Sequence, residues 1–150
     1  MGYGIRASLE AQRIQPPPST GWWSIARDID VDDYHNHLLF AILAGEPTVF
    51  DIEPIAAPRG LPDDVTTDVK TVYEEWRSVA WDVSWVSYAE LLTAMARIHT
   101  IAGSIRDSGM DERMFLAQNI GVSVQAIISY LTSYQDNGYD TRMLFWFVPL

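Results

Sequence analysis

The chain holds 150 residues, enough for a single domain over 1–150 that buries roughly 70% of its unfolded surface. With no cysteine it has no disulfide, no thiolate nucleophile and no sulfur-ligated zinc. Ten basic against twenty acidic residues give a net charge of −10, without the basic stripe that nucleic-acid phosphates require.

From Tyr3 to Ala11 the odd positions (Tyr3, Ile5, Ala7, Leu9, Ala11) alternate with Gly4, Arg6, Ser8 and Glu10. This period of two predicts a strand with one buried and one wet face. Pro16-Pro17-Pro18 then imposes a loop. The bulky run from Trp22 to Arg27 reads as a second strand, antiparallel to the first. Trp22 and Trp23 are adjacent and face opposite sides.

Asp32 or Asp33 would cap a helix ending at Ala44 with Gly45 as its stop, its buried stripe being Tyr34, Leu38, Ala41 and Ile42. Residues 46–63 carry Pro47, Pro54, Pro58, Pro62 and Gly60 and read as an irregular connection. Thr66 or Thr67 opens a helix with Val69, Val72, Tyr73 and Trp76 on one face. Ser87 and Glu90 have capping-box spacing at the head of a third helix running to about Ile105. Residues 111–135 predict further helix, breakable at Gly121, and Asp136-Asn137-Gly138 ends it. Arg142-Met143-Leu144-Phe145-Trp146-Phe147 is the last strand and is expected beside the first.

The whole is expected to be α+β: a small, mainly antiparallel sheet of N-terminal hairpin plus C-terminal strand, covered by three or four helices. No apolar run approaches the ~20 residues that cross a bilayer. Met1 leads into an alternating polar segment and not a signal peptide. The expected address is therefore cytoplasmic.

Several segments, in order, carry a family likeness. They are Ala7-Ser8-Leu9-Glu10, Leu39-Phe40-Ala41-Ile42-Leu43-Ala44-Gly45 and Arg59-Gly60-Leu61-Pro62-Asp63-Asp64-Val65, then Tyr73 with Trp76, Ser84-Trp85 and Phe145-Trp146-Phe147. In these the chain resembles a group of small proteins encoded by bacteriophages and prophages. It departs where that pattern has Asp-His-Ser before the Ser-Trp pair, since Trp81-Asp82-Val83 stands here, and in its Val148-Pro149-Leu150 ending. The resemblance implies a phage or prophage setting inside a bacterial host. The lost histidine argues against an enzyme.

The residues themselves offer little chemistry. Asp28-x-Asp30-x-Asp32 begins like a calcium loop, but Asp33 and Leu39 stand where Gly and Glu are needed. Asp33, His35 and His37 make too few ligands for a metal site. Arg59-Gly60 before a helix would meet a phosphate only across Asp63 and Asp64. Of the imidazoles, His99 reads as a simple helix position, and Glu74 and Glu75 share a solvated face. No catalytic set, metal or cofactor is expected.

What stands out is six tryptophans and seven tyrosines in an acidic chain. Trp76, Trp85 and Trp146 are assigned to the core. Trp22, Trp23, Trp81 and Tyr88, with Asp28, Asp30 and Asp32, are expected to form a surface for a host protein, in the manner of a counter-defence inhibitor. The alternative is a binder that sequesters a nucleotide, needing a pocket with aromatic walls reached by Arg6, Arg27 or Arg59. An undetected enzyme using His35, His37 or His99 ranks last. A homodimer is compatible with all three.

Overall fold

In a computed structural model, residues 3–14, 21–31, 37–45, 52–107, 109 and 111–149 are described. The elements run β1 (Tyr3–Arg13), β2 (Trp23–Asp30), α1 (His37–Ala44), α2 (Thr67–Trp76), β3 (Trp81–Ser87), α3 (Tyr88–Asp107), α4 (Glu112–Asn119), α5 (Val122–Asp136) and β4 (Tyr139–Pro149). The strands form one antiparallel sheet in the order β2-β1-β4-β3. First and last strands are its centre, paired without a register shift from Tyr3↔Pro149 to Arg13↔Tyr139.

That register sorts the side chains. Residues opposite one another share a face, so Ile5, Ala7 and Leu9 lie with Phe147, Phe145 and Met143. Helices α1, α3, α4 and α5 bury this face through Phe40, Leu91, Ile98, Phe115, Ile127 and Leu131. The other face carries Arg6, Ser8 and Glu10 opposite Trp146, Leu144 and Arg142. It is also covered: α2 and residues 61–65 pack Val69, Val72, Tyr73, Leu61 and Val65 onto Leu144, Trp146 and Val148. The wet face expected of β1 is therefore wrong, since Ser8 and Glu10 are fully buried. An ionic partner on β4 makes that burial tolerable, as described below.

The α+β class, the hairpin and the β1–β4 pairing stand as expected, with refinements. β3 was not foreseen as a strand. It is broken at Asp82, whose φ of 49° lies where the ladder slips, so its alternation is interrupted. α1 is buried all round from Leu38 to Ala44, not along a stripe, because it lies between the sheet and α3. The expected helix start at Asp32 or Asp33, and Tyr34, lie outside the described residues. The break between α4 and α5 falls at Ile120-Gly121, as the glycine suggested. Among the described residues no helix is long and apolar enough to cross a membrane.

Both sheet edges are interrupted, which discourages pairing with other chains. In β2, Asp28 takes a φ of 52° and its N–H donates to Ser8 Oγ at 3.1 Å. Along β3, the Gly60 N–H donates to Val83 O at 2.9 Å and the Arg59 N–H to Ser84 Oγ at 3.0 Å. The segment carrying Arg59 thus lies across that edge.

Candidate functional site

Beyond the N-terminus of α2, the covered face of the sheet opens into a cleft of about 720 Å³. Its walls include Trp22, Trp85, Arg59 and Arg142, and its rim Asp63 and Asp140. Arg142 organises it. The guanidinium is 5% exposed and donates through Nε to Glu10 Oε1 at 2.7 Å, and through NH1 to Asp64 Oδ1 at 2.8 Å. Glu10 spends its other oxygen on the Thr66 N–H, at 2.8 Å, at the start of α2. Thr66 in turn caps the helix by accepting from the Val69 N–H. One buried ion pair therefore joins both central strands to the helix that covers them.

Aromatic and cationic groups alternate across the cleft. Arg142 lies 4.0 Å from the Trp22 ring centroid and 5.8 Å from that of Trp85, and Arg59 lies 4.8 Å from Trp85. Arg59 donates to the Trp85 carbonyl at 3.0 Å, to Glu90 Oε1 at 2.8 Å, and to the second Glu90 oxygen through NH2. Glu90 is held in place by its capping box: it accepts from the Ser87 N–H at 3.0 Å, and its own N–H donates to Ser87 Oγ at 3.2 Å.

The electrostatics are those of a carboxylate-rich site. Bonding to Arg59, and secondarily to the Ser87 N–H, outweighs burial and holds the Glu90 carboxyl down at about 2. Arg142 likewise lowers Asp64, with a smaller contribution from the Trp22 N–H. Two arginines face Asp63, Asp64 and Asp140 in the lining, with Glu10 and Glu90 behind them. Negative charge is in excess. Among the described residues, Asp63 and Asp140 have no cationic partner.

The surface expected from sequence is not brought together. Trp22 lines the cleft. Trp23 is on the other face, 37% exposed, at one end of an aromatic run through Tyr139 and Tyr134 to Tyr130. Trp81, 38% exposed, packs on Tyr3 and Phe147 at the diagonally opposite corner of the sheet, roughly 20 Å away along the strands and about 14 Å across them. Tyr88 is half-buried, its hydroxyl 2.6 Å from that of Thr132.

Asp28 belongs to a second cluster on the α2 side of the sheet. It accepts from Arg6 Nε at 2.9 Å and from the Trp76 N–H at 3.0 Å, and Asp30 lies 3.6 Å from Arg6. Asp32 is outside the described residues. Trp146 is fully buried as expected, whereas Trp76 and Trp85 are only half-buried.

Of the arginines considered for a ligand, only Arg59 reaches the cleft. Arg6 is tied to Asp28, and Arg27 is exposed on β2, 3.8 Å from Asp68. Asp33, His35 and the His37 side chain lie outside the described residues, and His99 is exposed on α3 beside a smaller cavity of about 460 Å³. No group of three His, Cys, Asp or Glu residues among those described could hold a metal ion.

Arg142, Glu10 and Asp64 were missed as site residues. A signal existed: Arg142 is the only charge in the run 141–148, and Glu10 the only acid of β1. Aligning first and last strands antiparallel in their actual register would have opposed them. No protein-family model matches the chain, and no curated protein or solved structure matches it either.

Proposed function

We propose that the chain is a non-catalytic binding protein whose cleft receives a basic side chain of a protein partner. The observation that carries this reading is the make-up of the cleft: indole walls at Trp22 and Trp85 below a rim of Asp63 and Asp140, which have no cationic partner among the described residues. Tryptophan offers large apolar area at low entropic cost, and its ring face attracts cations. Carboxylates in excess draw a basic partner in and fix its orientation. The same excess repels phosphate, which disfavours sequestration of a nucleotide despite the aromatic walls. The phage or prophage setting, and with it a host protein in the bacterial cytoplasm as partner, rests on the sequence resemblance alone.

The test is charge reversal at the rim. Wild-type protein and the Asp63→Lys/Asp140→Lys double variant would each be immobilised, exposed to host lysate, and their complexes weighed by native mass spectrometry. The wild type is expected to retain a stoichiometric basic protein that the variant loses. A partner retained equally by both would place binding elsewhere on the molecule.

A further inference from the structure

We infer that the cleft recognises an arginine of its partner, and that Arg59 occupies the place of that arginine in the free protein. This rests on the cleft reading above and narrows its ligand to a guanidinium. Arg59 belongs to no helix or strand. Its side chain nevertheless makes a two-pronged ion pair with both oxygens of Glu90, adds the Trp85 carbonyl, and lies 4.8 Å from the Trp85 ring centroid. Two parallel bonds to one carboxylate combined with a flat indole suit a planar fork. An ammonium group is a point charge and cannot reproduce that geometry.

Three features make the arrangement exchangeable. The backbone around Arg59 is anchored without its side chain, through Ser84 Oγ, Val83 O and the packing of Leu61 on the second core. Glu90 is fixed by the α3 capping box and does not depend on Arg59 for its position. Arg59 is also 25% exposed, whereas Arg142 is 5% exposed and saturated by Glu10 and Asp64. Glu90 lies behind Arg59 and lines a neighbouring cavity, not the cleft itself, so an arginine that enters the cleft and displaces the Arg59 side chain takes over Glu90 and Trp85 while the Arg142 network stays intact. A site filled from within binds its ligand more weakly, by the fraction of time it stands open.

The experiment is titration calorimetry of wild type and Arg59→Ala with acetyl-Gly-Arg-Gly-amide and its lysine counterpart, with near-UV circular dichroism to confirm folding. Arg59→Ala is expected to bind the arginine peptide about tenfold or more tightly than wild type, and the lysine peptide about tenfold more weakly than the arginine one. Equal affinity of wild type and variant for the arginine peptide overturns the inference. So does the absence of any arginine preference, or of any binding to either protein. The broader cleft reading is judged separately, by the rim reversal at Asp63 and Asp140. Should Arg59→Ala not fold, Arg59→Met keeps an apolar stem over Trp85, frees Glu90 and serves the same comparison.

Discussion

Glu10 has no exposed surface, and a carboxylate in that position is tolerable only while Arg142 stands beside it. Arg142→Ala leaves the charge buried and unpaired, and is expected to cost about 3–5 kcal/mol in urea denaturation. A Glu10→Leu/Arg142→Met double variant, which removes both charges, is expected to recover most of that loss. A double variant no more stable than Arg142→Ala would mean that the stacking of Arg142 on Trp22, and not the charge pair, carries the stability. Glu90 gives a second check at this scale. Its carboxyl falls from 4.5 to about 2 on folding, so between those values the unfolded chain binds more protons and stability rises with pH. The contribution is complete above about pH 4.5 and lost as pH falls through about 2. In acid titrations of stability, Glu90→Gln is expected to show a shallower decline in that window, leaving the parallel fall from Asp64, whose carboxyl Arg142 also lowers.

Elements end or bend where a few side chains permit it, and the two left-handed aspartates show how differently such positions behave. Asp82 and Asp28 both have positive φ on edge strands, a conformation that favours glycine. Asp28 is bonded to Arg6, Ser8 and Trp76, whereas Asp82 is an exposed residue on β3. Asp82→Gly is therefore expected to be neutral or to stabilise by up to about 1 kcal/mol, through relief of the backbone. Asp28→Gly gains the same relief but loses charge-assisted bonds, and is expected to destabilise by about 1–3 kcal/mol. Thermal melts should leave Asp82→Gly at or above the wild-type midpoint and place Asp28→Gly below it.

The same local character governs what could be read in advance. The caps at Thr66, Ser87 and Glu90, the stops at Gly45 and Gly138, and the break at Gly121 involve neighbours in sequence, and each was legible. β3 was not, because the left-handed Asp82 interrupts its alternation. Nor was the cleft, because pairing β1 with β4 does not by itself give the register that opposes Glu10 and Arg142, and Asp64 joins them from a segment far away in sequence. By alternation alone Glu10 fell on a wet face.

At the scale of the molecule, the central ladder joins the two ends of the sequence, from Tyr3↔Pro149 to Arg13↔Tyr139. That topology costs folding speed, because β1 and β4 must close a loop of most of the chain before they gain any contact. It also makes a direct test available. Fusing the ends turns β4–β1 into a hairpin whose loop would be Leu150, Met1 and Gly2, within the usual hairpin range, and opening the chain at Gly109 separates α3 from α4. The fusion removes roughly 3 kcal/mol of loop-closure entropy from the central pair. The new opening lengthens the β3–β4 closure, at about half a kcal/mol. The permutant is expected to give the far-ultraviolet circular dichroism spectrum of the parent and, in stopped-flow refolding monitored by tryptophan fluorescence, to refold faster by about tenfold or more. Unchanged refolding would show that β1 and β4 pair after the rate-limiting step, with the slow event in the packing of α2 or α1 against a sheet not yet closed.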